Sequence, residues 1–132
     1  MDLAQIAITK VASVQINAQT TTKQTLYTVP SGKTFIPTKV VVRSPSASLA
    51  GMVDFDLGGN AGADDWLQQI SLNAMTATTD YAEINQPDQA AGPPIVPNKK
   101  TVYAAAAAFG IKINTGSTGA ATVYLDVFGY LF

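Results

Sequence analysis

The sequence predicts an all-β chain, an antiparallel β-sandwich of about eight strands with no long helix, most specifically a jelly roll. Three observations carry this expectation. Short runs of alternating apolar and polar residues recur along the 132-residue chain. Turn-forming clusters of Gly, Pro, Asn and Ser separate them every ~8 to 15 residues, and no window holds a 3.6-residue period over the length of a helix. A chain of this size buries roughly two thirds of its unfolded surface, enough for one core, so residues 1–132 are read as a single domain.

Residues 4–9 and 11–18 alternate weakly, as two short strands or as one strand with a bulge near Lys10. An extended arm is expected over residues 1–10, whose periodicity is too weak to build a core. The clearest stretch is LYTVPSGKTFIPTKVVVR, from Leu26 to Arg43. Pro30 presets φ for a turn and Gly32 can take a positive φ, so the chain should reverse there and pair the flanking runs as a hairpin. Strict alternation after the turn would place Thr34, Ile36, Thr38, Val40 and Val42 on one face and Lys33, Phe35, Pro37, Lys39, Val41 and Arg43 on the other. Pro37 has no N–H to donate, which predicts a sheet edge or a bulge.

Residues 51–57 (GMVDFDL) read as a half-buried strand, with Val53, Phe55 and Leu57 inward and Met52, Asp54 and Asp56 outward. A Gly-rich loop follows at 58–62. Residues 66–72 read as a strand, with a short helix as the alternative, and 76–84 as an exposed strand. Pro87, Pro93, Pro94 and Pro97 make 85–100 a Pro-rich loop. In the next run, Ala104 to Ala108 favour helix while Val102, Tyr103, Phe109, Ile111 and Ile113 favour sheet; a strand is expected. Its alanine and glycine face would suit close approach of another backbone. The last strand, Ala120 to Phe132, is apolar on both faces, as a central strand or one covered by another subunit would be.

Hydrophobic residues make up 47% of the chain and charged residues 13%, about half the usual charged share of ~25%, so part of the surface is expected to meet protein. The net charge is -1 and the basic residues are scattered, which disfavours nucleic acid. No apolar run is long enough to cross a membrane, and the N-terminus lacks the pattern of a secretion signal. With no His and no Cys, the usual general base, the commonest metal ligand and the thiol nucleophile are missing.

The best acidic group is Asp54, Asp56, Asp64 and Asp65 around the loop DFDLGGNAGADD. Read functionally it is a calcium site, since Ca²⁺ takes carboxylate and carbonyl oxygens from a flexible loop. Read plainly it is the solvated face of a strand followed by a polar turn, and the match to an EF-hand loop is partial. A glycosidase pair from the same aspartates is a weaker reading. The aromatic face of Tyr124, Phe128, Tyr130 and Phe132 is expected to be a homo-oligomer interface, dimer or trimer, in preference to a sugar platform. No other cofactor is called for.

The run TLYTVPSGKTFIPTKVVVRSPSASL at 25–49, the following MVDFDLGG and the tail TVYLDVFGYLF together resemble small jelly-roll proteins of tailed bacteriophage particles. That resemblance implies a structural virion protein, made in the bacterial host cytoplasm. The leading expectation is a non-enzymatic capsid decoration (cement) protein bridging neighbouring subunits of the major capsid protein. The alternative is a carbohydrate- or receptor-binding module of a tail or fibre, with loops 58–65 and 85–100 meeting the glycan. A carboxylate-dependent hydrolase comes third.

Overall fold

The computed structural model describes residues 7–85 and 101–132, and among these it is all-β. The eight strands are β1 (Thr9–Asn17), β2 (Gln24–Thr28), β3 (Phe35–Arg43), β4 (Asp54–Gly58), β5 (Leu67–Ile70), β6 (Ala82–Asn85), β7 (Ala108–Thr115) and β8 (Thr122–Leu131). They form two four-stranded sheets, β1-β8-β3-β6 and β2-β7-β4-β5, and every pairing is antiparallel. Strands pair as first with last, second with seventh, third with sixth and fourth with fifth, so the chain is one long hairpin rolled onto itself into a β-sandwich.

A single apolar cluster lies between the sheets. Val40, Val42, Val123, Leu125 and Val127 face it from the first sheet, and Phe55, Leu57, Phe109, Ile111 and Ile113 from the second, all 0% exposed. Phe109 is the hub: its ring meets those of Phe35, Trp66 and Tyr103 at centroid distances of 6.3, 5.5 and 5.7 Å. Such edge-on contacts add about 0.5–1.5 kcal/mol each beyond burial.

The Pro30 turn forms, closed by the Lys33 N–H donating to the Pro30 carbonyl at 3.2 Å with Gly32 at φ 72°. It does not make the expected hairpin. β2 joins the second sheet and β3 the first, so the turn carries the chain across the core. Nor does strict alternation hold along β3, because the pairing with β8 slips between Pro37 and Lys39. Phe35 and Pro37 point inward before the slip and Val40 and Val42 after it. The bulge sits where Pro37 predicted an edge or bulge, and the extra residue, Thr38, donates its hydroxyl to the Phe128 carbonyl at 3.2 Å.

Elsewhere, β1 is the bulged single strand, slipping between Lys10 and Ala12, so Thr9 and Lys10 of the expected arm are strand residues. Residues 1–6 and 86–100 lie outside the described residues, so the rest of the arm and of the Pro-rich loop is not described; Asn85 ends β6. Val53 is 48% exposed because β4 starts only at Asp54. Of residues 76–84 only Ala82 to Ile84 are strand, since Asp80 caps a turn at the Ala77 N–H, 2.9 Å away. Of the alanine run only Ala108 is strand, as the first residue of β7; Ala104 to Ala107 are neither strand nor helix. Ala106 takes φ 71°, and the run turns so that Ala106 N–H and Ala107 C=O bond Val29 at the end of β2.

Candidate functional site

The described surface offers two places where chemistry-bearing groups gather: the turn between β4 and β5, and the outward face of the first sheet. At the turn, the four aspartates do not form one centre, and among the described residues no group of three or more acidic side chains gathers to hold a metal. Asp54 and Asp56 lie on β4 and share the side-chain amide of Asn114 on β7, at 3.4 and 2.9 Å. Asp56 also accepts the Gln69 N–H at 2.8 Å. Asp64 pairs with Asn60 inside the turn. Asp65 accepts the Tyr103 hydroxyl at 2.6 Å and the Gly59 N–H at 2.8 Å. Burial, and then the bond to Asp65, pushes the Tyr103 hydroxyl far above the usual tyrosine range.

The carbonyls of this turn are met by a cation already present in the chain. Lys23 Nζ donates to the carbonyls of Ala108 (2.6 Å), Asn60 (2.9 Å) and Gly59 (3.4 Å), using the three donors an ammonium has. The carbonyl oxygens of Gly59 and Asn60 that a calcium ion would take are thus engaged. Gly110 makes room for the lysine stem, since a Cβ there would lie 2.9 Å from Lys23 Cε and 2.6 Å from the Gln24 carbonyl. The sequence signal for this arrangement was a lone lysine flanked by polar residues, which does not reveal a partner so distant along the chain.

On the first sheet, antiparallel register brings the outward residues into rows. Arg43 lies opposite Tyr124, Lys39 and Lys10 flank Phe128, Ser13 lies opposite Asp126, and Ile36 lies opposite Tyr130. Arg43 grips Asp126 with two nitrogens, at 2.7 and 3.2 Å, donates to the Ser13 hydroxyl at 3.0 Å, and sits 4.9 Å from the Tyr124 ring centre. Burial works against the Asp126 charge, but the hydrogen bonds from Arg43 and Ser13 outweigh it and hold the carboxyl below the usual aspartate range. The same carboxylate raises the Arg43 pKa. Lys39 lies 5.0 Å from the Phe128 ring centre and 3.9 Å from Glu83.

Of the four aromatic residues singled out in the sequence, Tyr124, Phe128 and Tyr130 lie on the outward side of β8 and Phe132 follows its last residue, in two settings. Tyr124 and Phe128 are half-buried beneath cations; Tyr130 has Ile36 for its neighbour, and Phe132, 45% exposed, exchanges main-chain bonds with Thr34. Two further exposed apolar residues follow the same rows: Ile8, one position before Thr9, and Val102, one before Tyr103, which bridges Phe35. Extending each register by one residue puts them beside Tyr130 and Ile36. Sequence reading placed Ile8 and Val102 inside expected strands but did not single them out, because periodicity does not show which strand ends come to lie beside one another. A shallow hollow of about 210 Å³ near Asn17, Ser46 and Ala120 to Thr122 is smaller than the ~300–1,000 Å³ of ordinary ligand pockets.

What the fold and these surfaces define together is a two-sheet antiparallel β-sandwich with one partly apolar outward face. No protein-family model, curated protein or solved structure matches the chain.

Proposed function

We propose that this protein is a non-enzymatic structural component of a tailed-phage particle, a capsid decoration protein that bridges subunits of the major capsid protein. The observation that carries this reading is the bare apolar end of the first sheet, where Ile8, Val102 and Phe132 are each about half exposed beside Tyr130 and Ile36. Contiguous apolar surface of this kind, rimmed by polar residues, marks a contact with another macromolecule. Tyr124 and Phe128, already covered by Arg43 and Lys39, contribute less to that contact than Tyr130 and Phe132. The strand order supports reading the sandwich as a jelly roll, in keeping with the sequence resemblance to small virion proteins.

A cement protein binds only the assembled shell, so by linkage it raises the shell's resistance to heat without being required to form it. With only 13% of its residues charged, the chain should attach with little change between ~50 and ~500 mM salt. Purified chain added to particles lacking it should restore heat resistance, and Phe132→Asp should attach at least tenfold more weakly while melting at the wild-type temperature. Particles equally stable without the protein, yet unable to adsorb to cells, would replace this reading with receptor binding.

A further inference from the structure

Independently of any particle, the hydrogen-bond pattern along β1 singles out an edge that no other described strand pairs with. β1 is the edge strand of the first sheet and, at nine residues, the longest edge among the described residues; β5 and β6 have four residues each and β2 has five. The direction of its main-chain groups follows from two bonds. The Ala18 N–H donates to Ala121 beyond the start of β8 at 2.9 Å, so even-numbered residues turn toward β8. The next residue back, Asn17, points the other way, donating its N–H to Gln24 Oε1 and accepting from Gln24 Nε2, both at 3.0 Å. Register runs unbroken from Ala12 to Asn17, and direction alternates along an antiparallel ladder. The N–H and C=O of Ser13 and Gln15 therefore face away from β8.

Exposed edges are usually protected by charge, proline or bulges. β1 has such protection at its ends only: the slip around Val11, next to Lys10, and the Gln24 amide that occupies Asn17. From Ala12 to Asn17 it carries no charge and no proline. The two stops lie equally far from Val14, at Val11 on one side and Asn17 on the other.

We propose that two copies of this chain pair through β1, antiparallel, about a two-fold axis at Val14. Ser13 then lies opposite Gln15 of the second copy, and Gln15 opposite Ser13 of the second copy. Each of these is a hydrogen-bonded pair that exchanges two main-chain bonds. The stop at Val11 meets the stop at Asn17 of the second copy, so neither leaves a mismatch. Lys10 falls opposite Ala18 of the second copy, which avoids like charges. This symmetry is the reason to choose a second copy over a foreign strand, to which the equal spacing of the stops would mean nothing. Pairing would join the first sheets into one continuous sheet of eight strands, a common way for β-proteins to close an isologous interface.

Amide hydrogen exchange and sedimentation equilibrium on the full chain, from about 20 μM to about 1 mM, test the proposal over the range where weak pairing becomes populated. The chain should shift from monomer to dimer, and exchange at Ser13 and Gln15 should slow at least tenfold with it. Gln15→Pro removes two of the four bonds without touching the β8 ladder and should weaken pairing about tenfold or more. Val14→Pro, whose lost N–H faces β8, should unfold the chain instead. Gln15→Lys is the second variant: it sets an ammonium near Arg43 of the second copy and should weaken pairing severalfold, less so at high salt. Fast exchange at every concentration would overturn the proposal, as would protection independent of concentration, which would mean that the chain covers its own edge. A dimer indifferent to both Gln15 variants would place the contact elsewhere and overturn it as well.

Discussion

The outward face of the first sheet lays cations over rings, Arg43 on Tyr124 and Lys39 on Phe128, with Asp126 drawn down between the strands. The outward face of the second sheet carries Asp54 and Asp56 on β4, bridged by an amide from Asn114. Inward, the two sheets follow the same rule of buried aliphatic and aromatic residues. The difference separates two uses of polar groups. On the first sheet they shield apolar surface and leave one end of it bare, whereas on the second they satisfy one another in water. Contact with a partner is therefore expected from the first sheet, and indifference to substitution from the second.

The largest effect tests the shared inward rule. Phe109→Ala removes the ring that links the two sheets and should cost about 3–5 kcal/mol, read from the denaturant midpoint. A loss below about 1.5 kcal/mol would mean that the sheets hold together without that hub.

Next comes the first sheet's outward face. Because the Asp126 pKa is depressed in the folded state, its contribution is present above the unfolded aspartate pKa of ~3.9 and is lost as pH falls through the lower folded value. Asp126→Asn should therefore reduce stability at pH 7 by about 1 kcal/mol and flatten the acid limb of the stability–pH curve. An unchanged acid limb would assign that pH dependence to other carboxylates.

The smallest effect is expected on the second sheet. Asn114→Ala leaves Asp54 and Asp56 facing water as neighbours and should change stability by no more than about 0.5 kcal/mol, with added salt restoring most of it. A larger, salt-resistant loss would remove the contrast between the two outward faces.

Much of the sandwich was legible in the sequence because burial imposes a period of two on every strand that lines a core. Phe109, Ile111 and Ile113 were read onto one face, and they lie there. What escaped was decided by single residues without a periodic signature. Thr38 inserts one position in β3 and reverses the parity of everything after it, so that a reading by strict alternation put Phe35 and Val40 on opposite faces although both are buried. The Pro30 turn was visible, but its destination was not, since a turn fixes a reversal and not the sheet that the next strand joins. The alanine run carried high helix propensity and flanking β-formers, and main-chain bonds to Val29 turn it before Ala108 enters β7. At the candidate site, the aromatic residues of β8 were found by parity. Their two settings were not, because Arg43, Lys39 and Ile36 come from a strand whose register the sequence leaves open, and Ile8 precedes another.

The Lys23 ammonium has a further consequence for how this protein meets its surroundings. An ion bound from solution is held at whatever concentration the medium supplies, but a tethered one is present at the effective concentration its stem allows, in the millimolar range typical of short flexible tethers. The carbonyls of Gly59 and Asn60 thus keep their donor through dilution or chelation, which would strip an ion bound from solution. In a chain without cysteine, this clamp joins three segments far apart in sequence, around Lys23, Gly59 and Ala108, with no covalent cross-link.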